Sequence, residues 1–538
     1  MNADPAGSIR KRILVLLLIA GLALQVGVVL LVQTPGYMDA EYYFAGGQQL
    51  YRGDGFWEPF LWNYLDDPAG LPHISHTYWM PLPSLIAAGG MFLQGNDGFN
   101  AARSLFIPLA ALVPLVTALI AWRLGLNTRQ GTLAGVLALF SGFYLPYAAL
   151  PESFSLYMLL GGGFFLTAFP VSGSLAQQPV RAAALGLIAG LMHLSRADGL
   201  LWGLGAAAVI ILDALASQPA GRWKKVLAGV LLAGAGYALV MGAWYGRNLS
   251  FYGQVMPPGG SKTIYLTDYN QTFVYPADSL TLETWLQTSW REHLSDRLQA
   301  LQSNLMTLLG VQSLVVLLPL MSLGGWRLRK QRMVWVGLLA WLATVLVMTL
   351  VFPYSGARGG FFHSGSALQP LLWALAPAGL EELIALGARK RGWKPGQAGT
   401  VFGIGLAVLC ALISGMLFSA RVWGASGEDW NLTWRVHQQV GRQLAAYGAQ
   451  ETDIVMVNNP PGFHAATGYP AVVIPDGNED TLAEVADRYD VQYLVLDRNA
   501  VSGLKDLYEN PRDVPGFHYL GTFAESHYFL STGWGGNE

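Results

Sequence analysis

The sequence predicts a polytopic α-helical membrane protein of about eleven spans, with its N-terminus inside and a small extracytoplasmic α/β domain at the C-terminal end. Three observations predict it. The 538 residues are 53% hydrophobic and 12% charged, with a mean hydropathy of +0.36, whereas a soluble domain carries about 25% charged residues. Apolar runs long enough to cross about 30 Å of hydrocarbon recur along most of the chain. After Ala420 the composition turns ordinarily polar. The expected division is a transmembrane part, 1–424, with outer loops at 33–81 and 246–300, and a soluble domain, 425–538.

The first apolar run, 13–32, follows Arg10, Lys11 and Arg12. It is long for a signal-peptide core, and no small-residue cleavage site follows, so it reads as a retained first helix. Further runs lie at 101–124, 131–149, 154–171, 182–195, 198–216, 226–245, 304–324, 333–352, 366–386 and 398–420; the stretch 182–216 reads as one crossing or two. The piece 82–94, with Pro83, is short and reads as an interfacial helix. Basic clusters at 10–12, 327–332 and 389–394 fall on one side and isolated cations on the other, which places the N-terminus inside. In the C-terminal part, 453–457 and 493–497 read as buried strands with a helix, 481–489, between them, and 517–522 with 527–530 as a closing hairpin. Strand, helix, strand in that order predicts a parallel sheet.

Composition also excludes. A formal net charge of −2 argues against a nucleic-acid partner, which needs a clustered basic face. The single cysteine, Cys410, lies in an apolar run, so neither an intrachain disulfide nor a thiolate cluster can form. Asn458-Asn-Pro-Pro-Gly after the first strand lacks the spacing of a glycine-rich phosphate loop, so no nucleotide is assigned to it.

The chemistry-bearing residues concentrate in the outer segments. Asp39 and Glu41 follow the first span directly. In an extended segment they share a face; on a helix they diverge by about 200°. Asp39 reads as a general base taking a hydroxyl proton, with Glu41 orienting it or sharing a divalent cation, or else as a cap on the following helix. His73 and His76, near Asp66 and Asp67, read as a metal pair or as ordinary loop histidines. Glu152, in a tight outer turn, reads as a supporting or metal-binding acid or as an N-terminal helix charge. Arg196-Ala-Asp198 interrupts an apolar run and reads as an internal ion pair or a ligand contact. Arg247, Lys262, Arg358 and His363 are the candidates for an anionic group, since arginine grips phosphate bidentately and lysine acts as a point charge. Arg358, inside Gly-Ala-Arg-Gly-Gly, is the strongest of the four, because glycine lets backbone approach a ligand.

The acidic motif at Asp39, the aromatic-proline element Tyr78-Trp-Met-Pro81 closing the first loop, the acid Glu152 in the second, and the many spans before an outer domain resemble the C-type (GT-C) integral-membrane glycosyltransferases. That superfamily includes the protein O-mannosyltransferases and the lipid A aminoarabinose transferases. The usual motif places two acids side by side, whereas Ala40 separates Asp39 from Glu41, and Met80 replaces a proline. The resemblance implies Asp39 as catalytic base and a polyprenyl-phosphate sugar as donor. The expected activity is an inverting transfer to a hydroxyl on a lipid, glycan or protein acceptor, at the outer face of the plasma membrane, with or without a divalent cation. A transporter or flippase and a non-catalytic assembly protein are the rival readings; no internal repeat supports the former.

Overall fold

In the computed structural model the described residues are 5–170, 178–216, 222–424, 429–523 and 525–533. The expected end of one span at 171 and the expected domain start at 425 lie outside them. Among the described residues seven helices are long and apolar enough to cross a membrane: Gly7–Leu31, Phe99–Arg123, Ala197–Leu215, Trp223–Tyr252, Arg332–Val351, Pro353–Arg391 and Pro395–Val422. Three shorter apolar helices join them, Leu82–Gln94, Ser153–Ala168 and Pro179–Ser195. The chain is a polytopic helical membrane protein with an α/β sheet region.

Two expected spans are broken for visible reasons. The run 131–149 forms a helix only over Thr128–Leu139; Gly142, at φ 64°, turns the chain into a 3-10 segment, Gly142–Tyr147, that contains Pro146. The run 304–324 breaks after a π-turn, Thr307–Gln312, where Leu314 and Val315 take φ of 49° and 61°. Freed backbone must find partners inside the protein: Gln369 donates to the Gln312 carbonyl at 2.7 Å, while the Gln312 side chain accepts from Trp341 Nε1 at 3.1 Å. The stretch 182–216 resolves into two helices, because Arg196 adopts an extended conformation (φ −154°, ψ 142°) between them.

The contacts divide the chain into two compact units. The first holds Met1–Val32, Arg103–Arg247 and Arg297–Asp429. Its core joins Tyr157, Phe164 and Phe165 to Leu185, Met192, Trp202, Ile210 and Leu371, with the small residues Ala121, Ala189, Ala206, Ala233 and Ala374 buried among them. Small side chains let helix backbones approach closely where lipid offers no hydrophobic driving force.

The second unit gathers Gln33–Ala102, Asn248–Asp296 and Trp430–Glu538. A two-stranded ribbon, β1 (Trp57–Glu58) with β3 (His73–Ile74), lies in its first stretch. The sheet has six strands: β2 (Phe60–Leu61), β4 (Ile454–Val457), β5 (Ala471–Val473), β6 (Val491–Leu496), β7 (Phe517–Phe523) and β8 (Ser526–Ser531), in the order β2-β5-β4-β6-β8-β7. The first four are parallel, and β8 and β7 close the sheet antiparallel. Side chains alternate between faces. Met456, Val472, Leu494 and Leu496 pack with the helix Glu479–Tyr489. Val455, Val457, Ala471, Tyr493 and Val495 pack on the other side with Tyr42, Tyr43 and Phe463. The first loop thus supplies an edge strand, Phe60 opposite Ala471 and Leu61 opposite Val472. Asn458-Asn-Pro-Pro-Gly is a helix start: Pro460–Thr467 is helical, with proline in the first turn, where a missing N–H costs nothing.

Leu494 is fully buried in the central strand β6. Leu494→Ala is expected to destabilise the protein by about 2–5 kcal/mol, read as a lower denaturation midpoint of the purified full chain.

Candidate active site

The helix Met38–Arg52 carries both acids of the first loop. Tyr37, extended at its N-cap, offers no side-chain cap, so Asp39 and Glu41 in the first turn complement the helix dipole. Gly53, at φ 95°, ends it. Because the segment is helical, the two carboxylates point to opposite sides. Asp39 is half-buried, whereas Glu41 is fully buried and accepts a 2.8 Å hydrogen bond from Asn459 Nδ2. Burial pushes the Glu41 carboxyl up to about 7, although the Asn459 bond pulls the other way.

The two loop histidines serve separate hydrogen-bond sets. His73 Nε2 lies 2.9 Å from the Phe60 carbonyl and 3.3 Å from Glu58 Oε1. His76 has Nδ1 at 2.8 Å from Ser75 Oγ and Nε2 at 2.9 Å from Ser84 Oγ, and its backbone N–H donates to the Tyr42 hydroxyl. The aromatic-proline element packs inward: Trp79 lies 4.5 Å from the Tyr42 ring and 4.2 Å from Trp62. Lys262 ends the short helix Pro258–Lys262 and pairs with the exposed Asp278 at 3.4 Å.

In the other unit, Glu152 caps the helix Ser153–Ala168, accepting from the Ser153 backbone at 2.5 Å and from its hydroxyl at 2.7 Å. The same oxygen lies 3.4 Å from His363 Nδ1. Both side chains are buried, and the imidazole stacks on Phe154 at 4.2 Å. His363 follows Arg358 on an irregular segment, a π-turn over Gly356–Gly360 and then Phe361–Gly365. Gly359 takes φ 108°, which L side chains rarely adopt, and a Cβ on Gly356 would stand 1.9 Å from the Met348 carbonyl. The glycines therefore let the chain turn tightly and leave the Arg358 side chain exposed. Arg247 lays its guanidinium over Trp244, 4.3 Å from the ring centre.

The structure thus joins Glu152 to His363 directly. It adds neighbours to which sequence spacing gives no pointer. Arg196 Nε pairs with Asp198 at 2.9 Å and its terminal nitrogen lies 3.5 Å from the Ser364 hydroxyl, while Tyr157 donates to Asp198 at 3.3 Å. The Arg-Ala-Asp interruption of an apolar run signals the ion pair; nothing in the sequence signals Ser364 or Tyr157 beside it.

The folded Glu41 carboxyl sits at about 7, above its ordinary 4.5. Its stability contribution is therefore complete below about 4.5 and is lost as pH rises through about 7. Glu41→Gln is expected to match the wild type near pH 4.5 and to exceed it at pH 8 by on the order of 3 kcal/mol, checked by unfolding midpoints across that range.

The sequence matches no protein-family model and no curated protein. Solved structures do match. The oligosaccharyltransferase of Archaeoglobus fulgidus in complex with zinc and sulfate aligns over 96% of this chain and 73% of that one, with a TM-score of 0.55 and 13% identity. The oligosaccharyltransferase AglB of the same organism, in complex with an inhibitory peptide and a dolichol-phosphate, aligns over 98% of this chain and 74% of that one, with a TM-score of 0.53 and 13% identity. Shared architecture over nearly the whole length of this chain, at an identity too low to carry more than fold, gives it the fold of these archaeal oligosaccharyltransferases.

Proposed function

We propose that the protein is an inverting glycosyltransferase that moves a sugar from a polyprenyl-phosphate donor to a hydroxyl of a lipid, glycan or protein acceptor at the outer face of the membrane. The observation that carries this reading is the fold shared with AglB, itself solved with a dolichol-phosphate.

Asp39 is the proposed base. It takes the acceptor hydroxyl proton as the oxygen attacks the anomeric carbon from the face opposite the phosphate. The bond from that carbon to the phosphate oxygen breaks, and the phosphate leaves with the bonding pair and without a proton. Charge therefore grows on the phosphate, and fixed cations stabilise that change most. Arg358, on its glycine-rich turn, is the proposed principal phosphate ligand, with Lys262, Arg247 and His363 as further candidates. The oxygen and imidazole donors of Glu152 and His363, buried 3.4 Å apart, fit a divalent cation. Such an ion, when bound, would supply positive charge to a phosphate oxygen.

Radiolabelled polyprenyl-phosphate sugar, incubated with the purified protein and a membrane extract, is expected to give labelled acceptor. Donor left intact under all conditions would reject the transferase reading. Asp39→Asn is expected to lower transfer by about 10²–10⁴-fold, the range of a lost general base, with expression unchanged. Arg358→Ala is expected to weaken donor binding by about tenfold or more, measured directly as donor affinity. Glu152→Ala and His363→Ala are each expected to weaken Mn²⁺ binding in calorimetry, and titrations identical to wild type would remove the cation from this pair.

A further inference from the structure

The helices Met38–Arg52 and Pro460–Thr467 pack against each other within the second unit, tied at two places. One tie is the 2.8 Å bond from Asn459 Nδ2 to Glu41 Oε2, at the end that carries Asp39. The other lies eight residues further along, where Gln49 Nε2 is 3.3 Å from His464 Nε2. His464 Nδ1 faces the Tyr469 carbonyl at 2.9 Å and burial keeps the ring neutral, so Nδ1 donates and Nε2 accepts from Gln49.

Glu41 has no exposed surface, and its Oε1 has no hydrogen-bond partner among the described residues. Room for the carboxyl is made by Gly462, where an added Cβ would stand 2.4 Å from Glu41 Oε2. Asn459 is itself held, since its Oδ1 accepts from the Gly462 backbone at 3.2 Å and caps the helix. A buried acid placed against a glycine and fastened to a capping amide leaves the first helical turn one rotational setting. Asp39 lies two residues away on the opposite side of that turn.

We propose that Glu41 is a positioning residue: through Asn459 it fixes the first turn of the Met38–Arg52 helix and thereby the direction of Asp39, so that the C-terminal stretch helps to set the catalytic geometry. The inference rests on the assignment of Asp39 as base made above.

The test compares Asn459→Ala, Gly462→Ala and Glu41→Gln in the full-length purified protein. It reads kcat and the donor KM in transfer, donor-binding stoichiometry, and hydrogen exchange of the amides of residues 38–44. Gly462→Ala is the sharpest variant, because it favours the helix it sits in yet displaces the carboxylate. Asn459→Ala and Gly462→Ala are expected to lower kcat about tenfold, with donor KM and stoichiometry unchanged, and to speed exchange at 38–44. Glu41→Gln keeps an oxygen that accepts from Asn459, and is expected to retain wild-type kcat and exchange. Wild-type kcat in Gly462→Ala, whatever its exchange, would overturn the positioning role, as would loss of kcat in Glu41→Gln. Should no donor support turnover, the function proposed above fails, while unchanged exchange in both disrupting variants would still overturn the anchor.

Discussion

Backbone amides and carbonyls in hydrocarbon have no water to bond with, so each irregular turn within the helical unit must be covered from inside. That constraint explains which residues stand at the breaks. Gln312 meets Gln369 and Trp341 where the expected span at 304–324 fails. Ser414 accepts from the Gly142 amide at the other failed span, and the Tyr144 hydroxyl donates to the Phe362 carbonyl beside His363 at 3.1 Å. At these breaks, polar side chains of the helical unit serve as partners of its non-helical backbone.

The same economy governs charge. An ionisable group inside a helical membrane unit is expensive unless it is paired, and two such pairs stand out: buried Glu152 beside His363, and half-buried Arg196 with Asp198 and Tyr157. These pairs collect where helices start, stop or bend, at 152–153, 196–199 and 356–365. Chemistry gathers there because a helix interruption is where a polar side chain can be tolerated.

The sheet unit solves a different problem. Its strands are short, and a sheet that draws β2 from one end of the chain and β4 to β8 from the other gains a covered edge at β5. Tyr64 reinforces that junction by donating to the Val473 carbonyl, and Tyr489 by donating to the Pro68 carbonyl at 3.0 Å. The first loop is therefore ordered by contacts with residues some four hundred positions away. Asp39 stands on a helix of that assembly rather than on a free loop.

How much was legible in the residues depends on the range of the interaction. Local forces were readable: the apolar runs, the buried strands expected at 453–457 and 493–497, the β7–β8 hairpin and the pairing of Arg196 with Asp198 all arise from near neighbours or from transfer into hydrocarbon. The broken spans were not, because Leu314 and Val315 look like good span residues and only distant glutamine and tryptophan partners make their turn affordable. Nor was the pairing of Glu152 with His363, 211 residues on, or of Glu41 with Asn459, 418 residues on. Periodicity left Asp39 and Glu41 free to share a face or to part. Packing against the Pro460–Thr467 helix decided that they part, because it buries one side of the first turn and leaves the other half open. Hydropathy alone determined that this chain enters a membrane; which of its first-loop acids is buried and which is half-exposed was decided by tertiary contacts that composition cannot encode.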